Sequence, residues 1–347
     1  MSTISASALP FLRVAVASML ALGSLGTASA QSVEDFYRGK TLRLIVPSTP
    51  GGDRGLYVLA FTPFFGKHIP GNPTVVPVFM PGAGGSNGVN YTYSVAAPDG
   101  LSVVTPLTGV VMAQAMGDDS VRYDVSKFNW IGRTSDSTRI FFVSSSVKAR
   151  TIADFRAQEV IVGAVGRASE TYLNPAFMNN VFGTKFKIVL GYQGAGRMNL
   201  AVESGETQGA FSTWNNISTQ HAEWLSSKRI RLVLQIAGVR HPDLPNVPLM
   251  SELAENEADR ALVSFMSSPT RMGQSFAAPP GTPPRMIEAL RRAFDATMKD
   301  PAFVERMRAA KMEFNPATGE QMTEIVARTI SAPPDVVRRY KAAVSER

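Results

Sequence analysis

The chain has 347 residues, and its 35 Lys and Arg against 28 Asp and Glu give a formal net charge of +7. This length predicts about two domains, and a 44% hydrophobic fraction excludes a disordered chain. The absence of cysteine excludes disulfides and thiolate sites, and the three histidines, His68, His221 and His241, lie far apart. We therefore expect no bound metal.

The first 30 residues are typical of a secretory signal peptide. Arg13 precedes an apolar run over 14–25, and Ala28-Ser29-Ala30 is a small-residue cleavage site. The run is shorter than the ~20 residues of a membrane-spanning helix, which argues against an uncleaved anchor. We expect cleavage near Ala30 and export. The positive charges are dispersed and an exported protein rarely meets nucleic acid, so we expect no nucleic-acid partner.

Apolar runs separated by Gly and Pro predict alternating strands and helices. Strands are predicted at 41–46, 74–80, 101–105, 140–144, 160–163, 186–190, 210–213, 230–236 and 274–278. Helices are predicted at 56–67, from the end of the loop at 81–88 to about 97, and at 151–155, 171–182, 198–204, 284–299 and 301–311. This order is typical of parallel α/β sheets with crossover helices.

Glycine-rich loops follow several of the predicted strands, at 47–55, 81–88, 164–169 and 191–196. Ligands of open α/β sheets bind beyond the carboxyl ends of the strands. Backbone N–H groups in such loops, with helix N-termini behind them, favour anions. The residues alone therefore predict an exported two-domain protein that holds an anion between glycine loops.

The segment Gly84-Gly85-Ser86-Asn87-Gly88 matches the GxSxG motif of serine hydrolases. A hydrolase also needs a later acid and histidine, and only His221 and His241 follow the motif. His221 falls in a predicted helix and His241 in a Pro-rich connector, neither of which is typical of a catalytic histidine. We expect no catalytic residues, and keep a secreted serine hydrolase built on Ser86 as the alternative.

Two further signals in the loops stay open. Arg167 stands beside a predicted helix start, where a guanidinium can hold a carboxylate, but pairing with Glu170 or with solvent is an equal alternative. Four aromatic residues near loop ends can wall an apolar pocket, although a core position is commoner for any one of them. They are Tyr57, Phe79, Tyr192 and Trp214.

Short motifs in a fixed order cover nearly all of the chain beyond residue 30. They are LRLIVP with PGG at 42–52, PGAGG at 81–85, PDG at 98–100, FNWIG at 128–132, GYQG at 191–194, ESGE at 203–206, LPNVP at 244–248 and FAAPPGTP at 276–283. In this set the chain resembles the periplasmic solute-binding proteins of tripartite tricarboxylate transporters, the Bug family.

The resemblance implies a type II periplasmic-binding-protein fold, in which two Rossmann-like α/β lobes close on a ligand in the cleft between them. We expect a signal peptide at 1–30, lobe 1 at 31–136 plus 240–347, and lobe 2 at 137–239. The resemblance also implies a monomer without enzyme activity or cofactor, located in the periplasm. Its ligand would be a small carboxylate, and its partner a membrane transporter or, alternatively, a sensor receptor.

Carried over by position, the resemblance implies a set of ligand contacts. In lobe 1 they are Ser48, Thr49, Gly51, Gly52, Ala83, Gly84 and Ser86. In lobe 2 they are Gly166, Ser169, Thr171, Tyr192, Gly194 and Ala195, with Ser212 and Thr213 from the strand at 210–213. Tyr57, Phe79 and Arg167 complete the candidates.

The chain departs from the family at several of these places. Gly55 stands where an acidic residue is usual, with Asp53 two residues earlier, and Ser212 stands where an aspartate is common. Phe79 and Met80 precede the second glycine loop, where an asparagine is common. We hypothesise that the ligand is therefore more apolar or aromatic than a plain dicarboxylate.

Overall fold

The computed structural model describes residues 32–51, 53–167 and 169–345. The predicted signal peptide and the candidate contact Gly52 lie outside these residues. Within them, no helix combines the length and the apolar character that crossing a membrane requires.

Strands and helices alternate along the chain. The strands are β1 Thr41–Val46, β2 Thr74–Phe79, β3 Ser102–Val104, β4 Asn129–Arg133, β5 Arg139–Ser144, β6 Glu159–Ala164, β7 Lys185–Leu190, β8 Gly209–Thr213, β9 Ile230–Ile236, β10 Ser275–Ala278 and β11 Ala317–Thr318. The helices are α1 Val33–Tyr37, α2 Asp53–His68, α3 Ser86–Ser94, α4 Gly109–Met116, α5 Ile152–Ala157, α6 Glu170–Phe182, α7 Ala195–Ser204, α8 Trp214–Gln220, α9 Ala222–Ser226, α10 Glu257–Ser267, α11 Pro284–Lys299, α12 Pro301–Ala309, α13 Gly319–Ile330 and α14 Pro334–Val344.

The strands form two sheets, with the orders β11-β4-β10-β3-β1-β2 and β7-β6-β8-β5-β9. In the first sheet β1 is parallel to β2 and β3, but β10 is antiparallel to β3 and β4. In the second sheet β6 is parallel to β7 and β8, but β5 is antiparallel to β8 and β9. The predicted parallel sheets are therefore mixed sheets, and the reversed strands β5 and β10 matter for the site.

Both faces of each sheet are covered, because successive strand residues point to opposite sides. In β1, Leu42, Leu44 and Val46 pack into one apolar cluster, whereas Ile45 packs into another on the opposite face. In β5, Phe141 and Phe142 divide between two clusters in the same way. The hydrophobic runs of these strands thus become the centres of two α/β lobes.

Three chain segments connect the sheets. Residues 134–138 join β4 to β5, and the segment after β9 returns toward the first sheet. Helix α13 packs on β4 whereas α14 packs on α6, so the short link between α13 and α14 also crosses. The predicted lobe boundaries keep the strands of each sheet within one lobe. Helices α10 and α14 fall in the predicted lobe 1 but pack into the apolar cluster of the second sheet. The boundaries stay a prediction.

Two helices begin closer to the glycine loops than the sequence predicts. Helix α2 begins at Asp53 rather than at 56, and α3 begins at Ser86, inside the second loop. At Gly55 a Cβ atom would lie 2.2 Å from the carbonyl oxygen of Pro50. The missing side chain lets the helix start directly against its loop, which explains why no acidic residue stands at this position.

Candidate functional site

A cavity of about 330 Å³ lies between the two sheets, and we refer to it as the cleft. Both lobes contribute to its walls. The lining residues are Ser48, Asp53, Arg54, Gly84, Leu107, Thr108, Gly109, Ser137, Arg139, Ser169, Glu170, Thr171, Thr213 and Gln274.

Three helices point their N-termini at the cleft. Helices α2, α4 and α6 begin at Asp53, Gly109 and Glu170, and all three residues line the cleft. The first turn of a helix leaves backbone N–H groups without partners, and the helix dipole adds partial positive charge there. N-termini from both lobes in one cavity make a site for an anion.

Arg139 supplies a full positive charge at the same place. It is the first residue of β5, and the antiparallel register sets it opposite Thr213, the last residue of β8. Its Nη2 lies 2.5 Å from Glu170 Oε2 and donates to Thr108 Oγ1 at 3.1 Å. Its Nε is buried with no hydrogen-bond partner in the described part of the chain. The guanidinium therefore places its positive charge in the lining of the cleft, beside the carboxylate of Glu170.

Side-chain hydrogen bonds join the lobes across the cleft. Thr108, in the first lobe, donates to Glu170 Oε1 at 2.6 Å and accepts from Arg139, both of the second lobe. Asn215, near the start of α8, donates its amide to Asp53 at the start of α2. The conformation described here is thus held by contacts from both sides of the cleft.

Asp53 is an acid inside this anion site, and its surroundings control its charge. Burial raises the pKa of Asp53, whereas the hydrogen bond from Asn215 and the charges of Arg139 and Arg54 oppose that rise. Gln274 Nε2 also donates to Asp53, at 3.2 Å. With both carboxyl oxygens accepting from amide groups, Asp53 serves the lobe interface and leaves Arg139 to the ligand.

Arg54 lines the cleft, and both of its Nη atoms donate to the protein. Its Nη1 donates to Thr105 Oγ1 and its Nη2 to the carbonyl of Gly273, both at 2.7 Å. Burial lowers its pKa to about 10, so it stays protonated at neutral pH. Its charge offsets that of Asp53 and fixes the first turn of α2.

A buried acid lies behind the cleft. Burial, together with the nearby charges of Asp136 and Asp53, raises the pKa of Glu313 well above its usual value. Glu313 Oε1 lies 3.4 Å from His241 Nε2, and burial lowers the pKa of that histidine. The backbone of Glu313 binds Tyr57, whose hydroxyl donates to its carbonyl at 2.8 Å.

A second cavity, of about 310 Å³, adjoins the cleft, and we refer to it as the methionine cavity. The two share Gly84, Gly109, Arg139 and Glu170. The remaining lining residues of the methionine cavity are Ala83, Ser86, Met112, Ala113, Met116, Asp118, Ser120, Arg167, Leu173, Asn174, Ile236, Met266, Pro269, Thr270 and Tyr340.

The structure brings about half of the predicted contacts to these cavities. Ser48, Gly84, Ser169, Thr171 and Thr213 line the cleft, and Ala83, Gly84, Ser86 and Arg167 line the methionine cavity. Arg167 also lies over the ring of Tyr172, 5.8 Å from its centroid.

The other described candidates are outside both linings. They are Thr49, Gly51, Tyr57, Phe79, Gly166, Tyr192, Gly194, Ala195 and Ser212. Tyr57 is buried and Phe79 packs against the cluster around β1. Tyr192 donates to Glu206 at 2.5 Å, and Ser212 donates to Asn216 at 3.2 Å.

Sequence reasoning missed Arg139, which carries one of the two positive charges in the lining of the cleft, and Gln274, whose amide donates to Asp53. Arg139 and Gln274 sit at the amino ends of the reversed strands β5 and β10, whereas we searched the loops that follow strands. Thr108 precedes a helix that we did not predict. The Thr-Gly step before the apolar run at 110–113 is a helix-start signal that would have found it.

Ser86 has no triad in this structure. It is buried, and its hydroxyl accepts from Ser120 at 3.3 Å. The histidines bind elsewhere: His68 pairs with Asp300, His221 with Asn199, and His241 with Glu313. In the part of the chain that the structure describes, no three His, Cys, Asp or Glu side chains are grouped as metal ligands.

The family model described as "Tripartite tricarboxylate transporter family receptor" matches residues 68–340. The chain belongs to this family. The sequence-based identification is thus confirmed, and the family is one of solute-binding receptors, so the chain is a binding protein and not an enzyme.

Solved structures confirm the two-lobed periplasmic-binding-protein fold. A TctC solute-binding protein from Polaromonas is 21% identical, with a TM-score of 0.64 over 89% of this chain and 99% of that one. An R. palustris protein solved with adipate is 17% identical, with a TM-score of 0.67 over 87% and 97%. MatC from Rhodopseudomonas palustris, solved with malate, is 18% identical, with a TM-score of 0.64 over 88% and 99%.

Proposed function

We propose that this protein is a periplasmic receptor that captures a small carboxylate in the cleft and delivers it to the membrane subunits of a tripartite tricarboxylate transporter. The observation that carries the proposal is the meeting of three helix N-termini with Arg139 in one cavity. Export would depend on the signal peptide at 1–30, with cleavage near Ala30.

A carboxylate suits the donors of the cleft. The guanidinium of Arg139 lines the cleft, and a charge-assisted hydrogen bond from such a group is roughly twice as strong as a neutral one. The hydroxyl of Ser169 donates to the carbonyl of Gly166 and is hydrogen-bonded to the hydroxyl of Thr171, so the backbone N–H groups of the helix N-termini are the main neutral donors. The adipate and malate of the two R. palustris structures support the same class of ligand.

Capture works through closure of the lobes. A ligand that touches Arg139 in one lobe and the N-terminus of α2 or α4 in the other binds best when the lobes are shut. It therefore shifts the population toward the closed form, which membrane subunits can recognise. The bridges Asn215–Asp53 and Thr108–Arg139 hold the lobes together on either side of the ligand.

The expectation of an apolar or aromatic ligand depended on Phe79 and on the loss of acidic residues near the glycine loops. Phe79 is half-buried against the cluster around β1 and lines neither cavity, and Asp53 adds an acid to the cleft, so neither residue supports an apolar ligand. The methionine cavity does support an apolar part of the ligand.

A thermal-shift panel on protein that has been unfolded and refolded tests the function. The panel holds aliphatic mono-, di- and tricarboxylates, acidic amino acids and aromatic acids, with the matching amides and alcohols as controls. A ligand at 100 times its Kd adds about 2.7 kcal/mol to the free energy of unfolding. Stabilisation by carboxylates and not by their amides is the expected result. Stabilisation by neither, or equally by both, would refute carboxylate capture.

A further inference from the structure

The methionine cavity opens from the cleft at its most charged point. Arg139 and Glu170 line both spaces, as do the backbones of Gly84 and Gly109. A molecule whose carboxylate meets Arg139 therefore has about 310 Å³ of further space directly behind its head group.

The walls of this cavity are apolar and adaptable. Met112, Met116 and Met266 come from α4 and α10, and Leu173 and Ile236 come from the second lobe. Methionine is unbranched and polarisable, so it fits itself to flexible apolar chains better than a rigid aliphatic wall does. Because both lobes contribute, closure would surround the apolar part of a ligand on all sides.

The charges of the cavity do not favour a second carboxylate. Once a head group is bound at Arg139, the other charged lining residues, Arg167, Asp118 and Glu170, leave one net negative charge. Asp118 accepts from the backbone N–H and the hydroxyl of Ser120, at 2.8 and 2.6 Å, and these bonds lower its pKa. It therefore stays ionised at neutral pH and repels an anion that enters the cavity.

We infer that the ligand is an amphiphilic monocarboxylate, whose head group binds at Arg139 and whose straight apolar chain fills the methionine cavity. This inference rests on the proposed function, since it names the carboxylates that the same site selects. It also explains why a receptor of this family carries an apolar space beside its anion site.

The test is calorimetric titration of the ligand-stripped protein with straight-chain monocarboxylates from acetate to nonanoate, and with dicarboxylates of equal length. Each buried methylene should tighten the Kd about fourfold until the chain outgrows the cavity. At each length the dicarboxylate should bind more weakly, because its second charge would enter a cavity whose remaining lining residues carry a net negative charge.

Two methionine variants locate the chain. Met116→Gln keeps the length of the side chain but places an amide in the cavity wall, and should flatten the chain-length series while leaving the shortest acids unchanged. Met312→Gln is the control, because Met312 is also half-buried and lines a separate groove on the first lobe. It should leave the whole series as in the wild type.

Several results would overturn the inference. A series without chain-length dependence, or a preference for dicarboxylates, would show that the apolar space is not used, while carboxylate capture would stand. An equal effect of Met116→Gln and Met312→Gln on the chain-length series would show that the apolar chain of the ligand does not lie in the methionine cavity. Binding of no carboxylate from either series would refute the proposed function itself.

Discussion

Replacing Arg139 tests the site most directly. In Arg139→Met the side chain keeps much of its apolar length but loses the guanidinium that faces the cleft. A hydrogen bond to a charged group contributes about 1.5–3 kcal/mol, so its loss should weaken the Kd of the best carboxylate about 10- to 150-fold. Arg139→Lys keeps the charge without the planar fork, and we expect an intermediate Kd.

The same change has a calculable effect on folding. The side chains of Arg139 and Glu170 are 22% and 25% exposed, so their ion pair is intermediate between a surface pair and a buried one. A surface pair contributes less than about 1 kcal/mol, whereas breaking a fully buried pair costs about 3–5 kcal/mol. We expect Arg139→Met to lose about 1–2 kcal/mol of unfolding free energy, because Glu170 keeps its bond from Thr108.

Arg291→Met separates the two effects. Arg291 is 28% exposed, pairs with Glu320 at 2.6 Å and donates to the carbonyl of Trp130 at 2.9 Å, away from both cavities. Calorimetric titration should show wild-type affinity for this variant, and thermal unfolding a loss similar in size. Wild-type affinity in Arg139→Met as well would refute the role of Arg139 as the anchor of the carboxylate.

Three further predictions concern the scaffold. Gly273→Ala should lose more than about 2 kcal/mol of unfolding free energy in chemical denaturation, because a Cβ there would lie 1.9 Å from the carbonyl of Ser135 in a left-handed backbone. Gly117 is also left-handed but has open space around it, so Gly117→Ala should lose only the conformational part. Equal losses in the two variants would contradict this reasoning. Burial raises the pKa of Glu313 in the folded state, so wild-type stability should fall as pH rises above the unfolded pKa of about 4.3. In thermal melts between pH 4 and 8, Glu313→Gln should remove that fall. An unchanged slope would argue against a buried, protonated Glu313. Hydrogen bonds from His68 and a neighbouring lysine lower the pKa of Asp300 in the folded state, so its contribution to stability should be present above about pH 4 and lost as pH falls. Asp300→Asn should be less stable than the wild type at pH 7 and should lose less stability on acidification. Parallel curves of stability against pH for the two proteins would exclude this role.

Much of this molecule follows from local sequence. Apolar runs with alternating faces define β1 and β5, and Thr151 caps the helix α5, which was predicted to start there. Glycine loops with helix starts behind them predict an anion site, and Ser48, Gly84 and Ser169 reach it. These features depend on residues within a few positions of one another, so the sequence shows them directly.

Other features were decided only by the tertiary structure. Arg139 and Gln274 enter the cleft because β5 and β10 run against their neighbours, which brings their amino ends to the edge where the other strands end. Strand direction depends on how the chain crosses between the lobes, and no local pattern records it.

The burial of the aromatic candidates and of the cavity methionines also depended on the tertiary structure. The sequence places Tyr57 and Phe79 beside loops, but packing buries Tyr57 in the core and sets Phe79 half-buried against the same cluster. The methionines of the second cavity show the reverse case, since Met112 and Met266 look like ordinary helix core in the sequence. They line a ligand-sized space only because α4 and α10 meet the second sheet there without filling it. Local chemistry therefore determines that this chain attracts an anion, while the packing of distant elements decides which residue holds it and what shape lies behind it.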